Sequence, residues 1–309
     1  MQAFAKWVMK GRMQAVIAAT VSAMLALIIT PLSVISAAVV ALAVLRQGWR
    51  EGLLVVGSAL LAIGGLGGLV FQMPVGAALV GLMLWAPAAI LGGIMGRTGS
   101  LRIAIEAAAV GAGAIVVLQY LLLGDPGAFW AETLNALVAA QVEAAGAEQT
   151  AELGNLITAA SGWMAGGVAA AWFLATLGAL LLARYWASTL DRPGAFGEEF
   201  RELRFGRWLL ILVPLLLVVG IVITGGEPSL LGQLYLVGMM VFLIQGLSVA
   251  HALVHDFAAS TAWLVGLYLM VVLIAPQGAT MVAAAGYADG WLNFRAKARA
   301  RRSRTDDDQ

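Results

Sequence analysis

Cysteine is absent from the 309-residue sequence. Disulfides and thiolate metal sites are therefore excluded, and nothing marks the redox compartment. Charge is nearly as scarce: Asp, Glu, Lys and Arg make up 11% of the chain, against about a quarter in a soluble domain. There are two histidines, and no hydrolase triad, carboxylate pair at hydrolytic spacing or Walker-type phosphate loop is found. No nucleic-acid-binding motif is found either. No catalytic residue, no cofactor and no nucleic-acid partner is assigned.

What is present is apolar. Hydrophobic residues make up 61% of the chain and the mean hydropathy is +0.92. Apolar runs approaching the length of about 20 residues that crosses a bilayer recur from end to end. They occupy 13–30, 32–45, 53–71, 74–96, 103–123, 159–183, 208–223, 230–251, 257–275 and 277–294. The first two are continuous in hydropathy, as are the last two. One helix over 13–45 would be about 50 Å long against a hydrocarbon core of about 30 Å. Pro31 and Pro276 mark where each run must turn, because a helix normally ends before such a residue. Both runs are read as hairpins, which gives about ten spans.

Charge then sets orientation. With the N-terminus inside, the inner segments are 1–12, 46–52, 97–102, 184–207, the 252–256 turn and the tail from 295. These contain all 18 Lys and Arg of the chain. The longest outer segment, 124–158, holds Asp125, Glu132, Glu143, Glu148 and Glu152 and no cation. This is the positive-inside pattern, and a single span over 13–45 would break it. The start superficially resembles a secretory signal, but cleavage near Ile35–Val39 would remove the first span and upset the same alternation. The expectation is an all-α, polytopic transmembrane bundle over 1–294 with both termini cytoplasmic, in a bacterial inner membrane. The tail, 295–309, is first basic and then acidic. It is expected to be largely disordered, with its cations facing anionic lipid headgroups.

Two segments outside the spans carry periodicity. In the outer loop, Phe129, Leu134, Leu137, Val138 and Val142 recur at helical spacing, as do Leu153, Leu156 and Ile157. Two amphipathic helices broken at residues 143–148 are predicted. In the inner loop 184–207, Asp191-Arg192-Pro193-Gly194 is turn chemistry. Phe196, Phe200 and Leu203 then follow i, i+4, i+7, with Glu198, Glu199, Arg201 and Glu202 opposite them. A short helix in the membrane interface is predicted there.

This inner loop, with an Arg before two aromatics, a Pro-Gly turn and "EEFRELR", resembles that of the YybS-like family of bacterial membrane proteins, a domain of unknown function. So do the Pro31 hairpin followed by "LRQGWREG", the helical outer loop and the closing "GYADGWLNFR". The resemblance covers essentially the whole chain. Its hydropathy and early hairpin look distantly like the substrate-binding membrane subunits of energy-coupling-factor vitamin transporters, which are smaller and typically six-helical. That resemblance implies a small-molecule ligand, and without a Walker motif here any ATPase partner would have to be another chain.

Among candidate functional residues, polar groups inside spans come first: Gln119, Gln245 and Tyr268, with Asp289 and Asn293 near the last exit. Together they could line a small-molecule pocket, or each could hydrogen-bond a neighbouring helix. Asp289 faces the bundle, about 9 Å deeper than Arg295 along a continuous helix. It is predicted to be paired, with Arg97, Arg102, Arg184 or the histidine turn as partner. His251 and His255, one helical turn apart, could share a metal with Asp256 or Asp289. The Glu of H-E-x-x-H is absent and the pair sits at an aqueous turn, so no metal is assigned. Gly64/Gly68, Gly92/Gly96, Gly162/Gly166 and Gly286/Gly290 form G-x-x-x-G pairs that pack helices within the bundle or between two copies. The functional expectation is small-molecule binding or transport without catalysis. The alternative is an envelope scaffold acting through membrane-protein partners.

Overall fold

The computed structural model describes residues 2–144 and 147–299, and the side chains of all of these except 140–151. Among the described residues there is no strand. The helices are α1 (Gln2–Val8), α2 (Arg12–Leu25), α3 (Leu32–Phe71), α4 (Pro74–Thr98), α5 (Leu101–Leu123), α6 (Pro126–Ala144) and α7 (Ala147–Ser161). They continue with α8 (Met164–Asp191), α9 (Ala195–Arg201), α10 (Arg207–Thr224), α11 (Leu230–Asp256), α12 (Ala262–Leu273) and α13 (Gln277–Leu292). Six of these, α3, α4, α5, α8, α10 and α11, are long and apolar enough to cross a membrane. The apolar α2 and α12 have 14 and 12 residues, or about 21 and 18 Å of rise.

Each apolar run of the sequence contains helix, although α2 ends at Leu25 within the 13–30 run and α12 covers only Ala262–Leu273 of 257–275, and the connections differ from expectation in two places. Residues 46–52 were expected to form an inner loop. Instead α3 runs through them with one non-helical residue, Gly48, at φ 82° and ψ 177°. That left-handed φ is open to glycine without a Cβ clash, so two helices meet at a single residue with no loop. The 184–207 segment is also less of a loop, since α8 continues to Asp191 before the turn that enters α9. The two prolines act as read: Pro31 and Pro276 are the residues immediately before α3 and α13. The outer segment forms α6 and α7, and the expected break overlaps residues 145–146, outside the described residues.

The helices make two compact units, Met1–Ala108 with Leu174–Leu203, and Ala109–Phe173 with Arg204–Gln309. In unit 1, α2, α3 and α4 enclose an Ala- and Val-rich core. A Cβ on Gly92 would lie 2.6 Å from the Ala41 carbonyl, and one on Gly96 3.2 Å from that of Leu45. Close helix approach is therefore built on the absence of side chains. Gly64 and Gly68 receive the start of α4 in the same way, each with a Cβ position 3.3 Å from Pro74. Two hydrogen bonds bind three helices inside this core. The Trp85 indole donates to Ser36 Oγ at 2.8 Å, and Ser36 Oγ donates to the Ala19 carbonyl at 2.6 Å. Both Ser36 and Trp85 are fully buried.

In unit 2, α11 packs against α10 and α13. Gly286 lies on the Phe242 carbonyl and Gly246, and Gly290 lies on the Leu210 side chain. Gly162 sits in the turn before α8 and Gly166 inside that helix, against Pro228 and Gln233 respectively. All four glycine pairs thus face helices and turns of their own unit.

Candidate functional site

The buried acid at the end of α13 is the most constrained group in unit 2. Gly286 and Gly290 bring α13 against α11 and α10, and Asp289 between them is 0% exposed. The helix ends at Asn293, which takes a left-handed φ of 50° and ψ of 56° while its N–H donates to the Asp289 carbonyl at 3.0 Å. Asn tolerates this conformation better than most residues. The reversal returns the chain towards α11, residues 294–299 resume helix, and Arg295 Nη2 meets Asp289 Oδ2 at 2.7 Å. The partner is therefore none of Arg97, Arg102, Arg184 or the histidine turn. The expectation failed because it carried the helix straight on, which would have kept residue 295 about 9 Å away. The tail is also not wholly outside the bundle: Arg295 is 4% exposed and its Nη1 donates to Ser248 Oγ at 3.3 Å. Residues 300–309 lie outside the described residues.

A second guanidinium closes this end. Arg204 Nη2 donates to the carbonyls of Asp289 and Gly290 at 3.2 and 3.4 Å, capping the α13 terminus. Next to it, Gln245 bridges two segments. Its Oε1 accepts from the Phe205 N–H at 3.1 Å, and its Nε2 donates to the Gly286 carbonyl at 2.9 Å. Asp289 Oδ1, by contrast, is buried without a hydrogen-bond partner among the described residues.

The remaining predicted residues have other partners. Gln119 donates from Nε2 to the Ala165 carbonyl at 3.2 Å and accepts from the Trp130 indole at 3.0 Å. Tyr268 is 43% exposed and meets the His251 ring edge-on at 6.0 Å. His251 Nδ1 lies 2.8 Å from the Leu247 carbonyl of its own helix, and His255 Nδ1 3.3 Å from Asp256 Oδ1. Among the described residues no group of three His, Asp or Glu could hold a metal ion. Gln245, Asp289 and Asn293 are thus brought together at the end of α13, whereas Gln119 and Tyr268 have other partners.

Sequence reasoning missed Gln233, which is 1% exposed at the start of α11. Its Oε1 accepts from the Gly166 N–H, and its Nε2 donates to Tyr120 Oη at 2.8 Å and the Gly162 carbonyl at 3.1 Å. The signal was available, an amide within an apolar run, as for Gln245. Also missed were the cavities of unit 1. An apolar one of about 490 Å³ is walled by α2, both ends of α3 and the first half of α4, from Ala23 to Leu84. A polar one of about 360 Å³ lies where α3, the end of α4 and α8 meet, with Arg46, Gly96, Gly99, Arg184 and Asp191 in its wall. Unit 2 has two apolar cavities of about 200 Å³ each, both touching α10 and α11. None of these four has a predicted binding residue in its wall.

Comparison with known proteins gives no matching family model, no matching curated protein and no matching solved structure.

Proposed function

We propose that this chain is a polytopic protein of a bacterial inner membrane that binds or moves a small molecule without chemistry of its own. In this reading it has ten crossings and both termini are cytoplasmic. The positive-inside alternation supports the orientation. The motifs that resemble the YybS-like family support the bacterial setting. The crossing count takes the halves of α3 on either side of Gly48 as two spans. It also takes α2, α12 and α13 as short crossings, which a locally thinned bilayer and flanking residues accommodate.

The observation that carries the small-molecule reading is the pair of cavities in unit 1. Along α4 the apolar cavity reaches Leu84 and the polar one begins at Met95. Ten residues of helix, a rise of about 16 Å from Leu84 to Met95, separate them. Trp85, Ala88, Leu91 and Gly92 of that stretch are buried. Both volumes fall within the roughly 300–1,000 Å³ of ligand pockets. Two cavities of ligand size flanking a closely packed stretch give a small molecule a place to bind on either side of it. A metabolite screen against the purified chain, read as ligand-dependent thermal stabilisation, tests this. A broad screen without a shift counts against it.

One observation favours a second reading, an envelope scaffold. The helices α6 and α7 expose apolar side chains, among them Leu137 at 70% and Leu156 at 60%. Affinity isolation from membranes returning one stoichiometric protein partner, lost on Leu137→Asp, supports the scaffold.

A further inference from the structure

We infer that the polar cavity of unit 1 is a binding site for a phosphate-type oxyanion. This deepens the small-molecule reading and rests on it. The cavity differs from the apolar ones because two guanidiniums, Arg46 and Arg184, and one carboxylate, Asp191, stand in its wall.

Each arginine is held by one edge. Arg184 Nε donates to Glu199 Oε2 at 2.8 Å, and Glu199 is itself fixed because its Oε1 accepts from the Leu101 N–H at 3.1 Å. Arg46 Nη2 donates to Asp191 Oδ1 at 2.8 Å. A guanidinium carries five N–H donors and no acceptor. Among the described residues neither Nη group of Arg184 has a hydrogen-bond partner, which leaves the pair of donors that can grip two oxygens of one anion. Gly99, in the left-handed region at φ 61°, leaves the floor open: a Cβ there would meet nothing within 4 Å. Arg97 lies beside Gly96 and sits over the Trp49 ring at 5.7 Å, and over segments 46–52, 97–102 and 184–203 seven arginines stand against five carboxylates, a modest excess that favours an anion.

Each guanidinium already has one carboxylate partner, so shape rather than excess charge selects the anion: a phosphate group offers several acceptor oxygens to the donors of both arginines. Asp191 is the opposing wall group. Its side chain is 61% exposed and it is already paired with Arg46. The volume of about 360 Å³ leaves room for more than a bare phosphate. A soluble phosphate ester and an anionic lipid headgroup share this chemistry.

The test uses the full chain, purified in neutral detergent and titrated with glycerol 3-phosphate against chloride at matched ionic strength. In parallel it is placed in nanodiscs of phosphatidylglycerol or phosphatidylcholine, and thermal midpoints are read throughout. A saturable rise with the soluble ester, lost in Arg46→Gln and Arg184→Gln, is expected. Asp191→Asn should bind several-fold more tightly, an outcome a purely structural role would not produce. The Arg46–Asp191 bridge is partly exposed and contributes little to folding, so its variants remain testable if Arg184→Gln does not fold. A soluble-ester response identifies a metabolite site, and a response confined to phosphatidylglycerol discs identifies a lipid site. Either supports the inference. No response in both formats, or the same response in wild type, Arg46→Gln and Asp191→Asn, overturns it. If another compound class stabilises the chain while phosphate does not, this inference falls and the small-molecule reading stands. If no compound does, both fall.

Discussion

Asp289 Oδ2 and Arg295 Nη2 lie 2.7 Å apart, with the side chains 0% and 5% exposed. A pair this buried is held by mutual necessity, since removing either member leaves the other as a buried charge without its counter-charge. The loss in such cases is about 3–5 kcal/mol, whereas an apolar replacement of both is often neutral. Asp289→Ala should therefore lower stability by about that amount. The double variant Asp289→Leu, Arg295→Met should recover most of it. Urea or thermal unfolding in micelles measures both, and equal losses in the single and double variants would remove the pair as the cause.

Glycine substitutions should separate packing from conformational freedom. Gly286→Ala puts a methyl group against the Phe242 carbonyl and Gly246, where there is no space for it. Gly57 is inside α3 with nothing within 4 Å of a Cβ. Gly57→Ala should be neutral or stabilising by roughly 0.5–1 kcal/mol. Gly286→Ala should cost more than it gains. The two thermal midpoints should move in opposite directions.

Ser36→Ala removes an acceptor that the buried Trp85 indole uses and a donor to Ala19. Leaving a buried N–H without a partner costs about 1–3 kcal/mol. Trp85→Phe in the same background removes the orphan, so the two changes together should cost less than their sum. A double-mutant cycle on unfolding free energies reads the difference.

Because the chain has no cysteine, single cysteines report sidedness directly. The exposed Asn135 of α6 and Glu202 after α9 are the test positions. Asn135→Cys should react with an impermeant maleimide in intact spheroplasts, and Glu202→Cys only after permeabilisation. The reverse pattern would invert the proposed orientation.

The sequence made the helices legible because burial in lipid imposes a long, one-letter pattern on each. Pro31 and Pro276 were readable as breaks for the same local reason: a ring fixes φ and removes a donor. The break within 46–52 was placed by its two arginines, but its narrowing to the single residue Gly48 was not readable, since no local pattern tells a loop from one left-handed glycine. The Asp289 partner was lost for a similar cause: one residue, Asn293, in the left-handed region changes which side chains can meet. The polar cavity was less visible still. Arg46, Arg184 and Asp191 each read as ordinary inner-face charges. Only the fold brings α3 and α8 together, and no local spacing records that.

The Ser36 hydroxyl also bears on how the chain is made. It donates to Ala19 and retains lone pairs, so once α2 and α3 have met it presents an acceptor inside their pairing. The indole of Trp85 leaves the ribosome later, some fifty positions downstream, and finds that acceptor already in place. Earlier segments thus prepare a polar landing point for a later one, and chain order during synthesis matches the order in which the bonds can form.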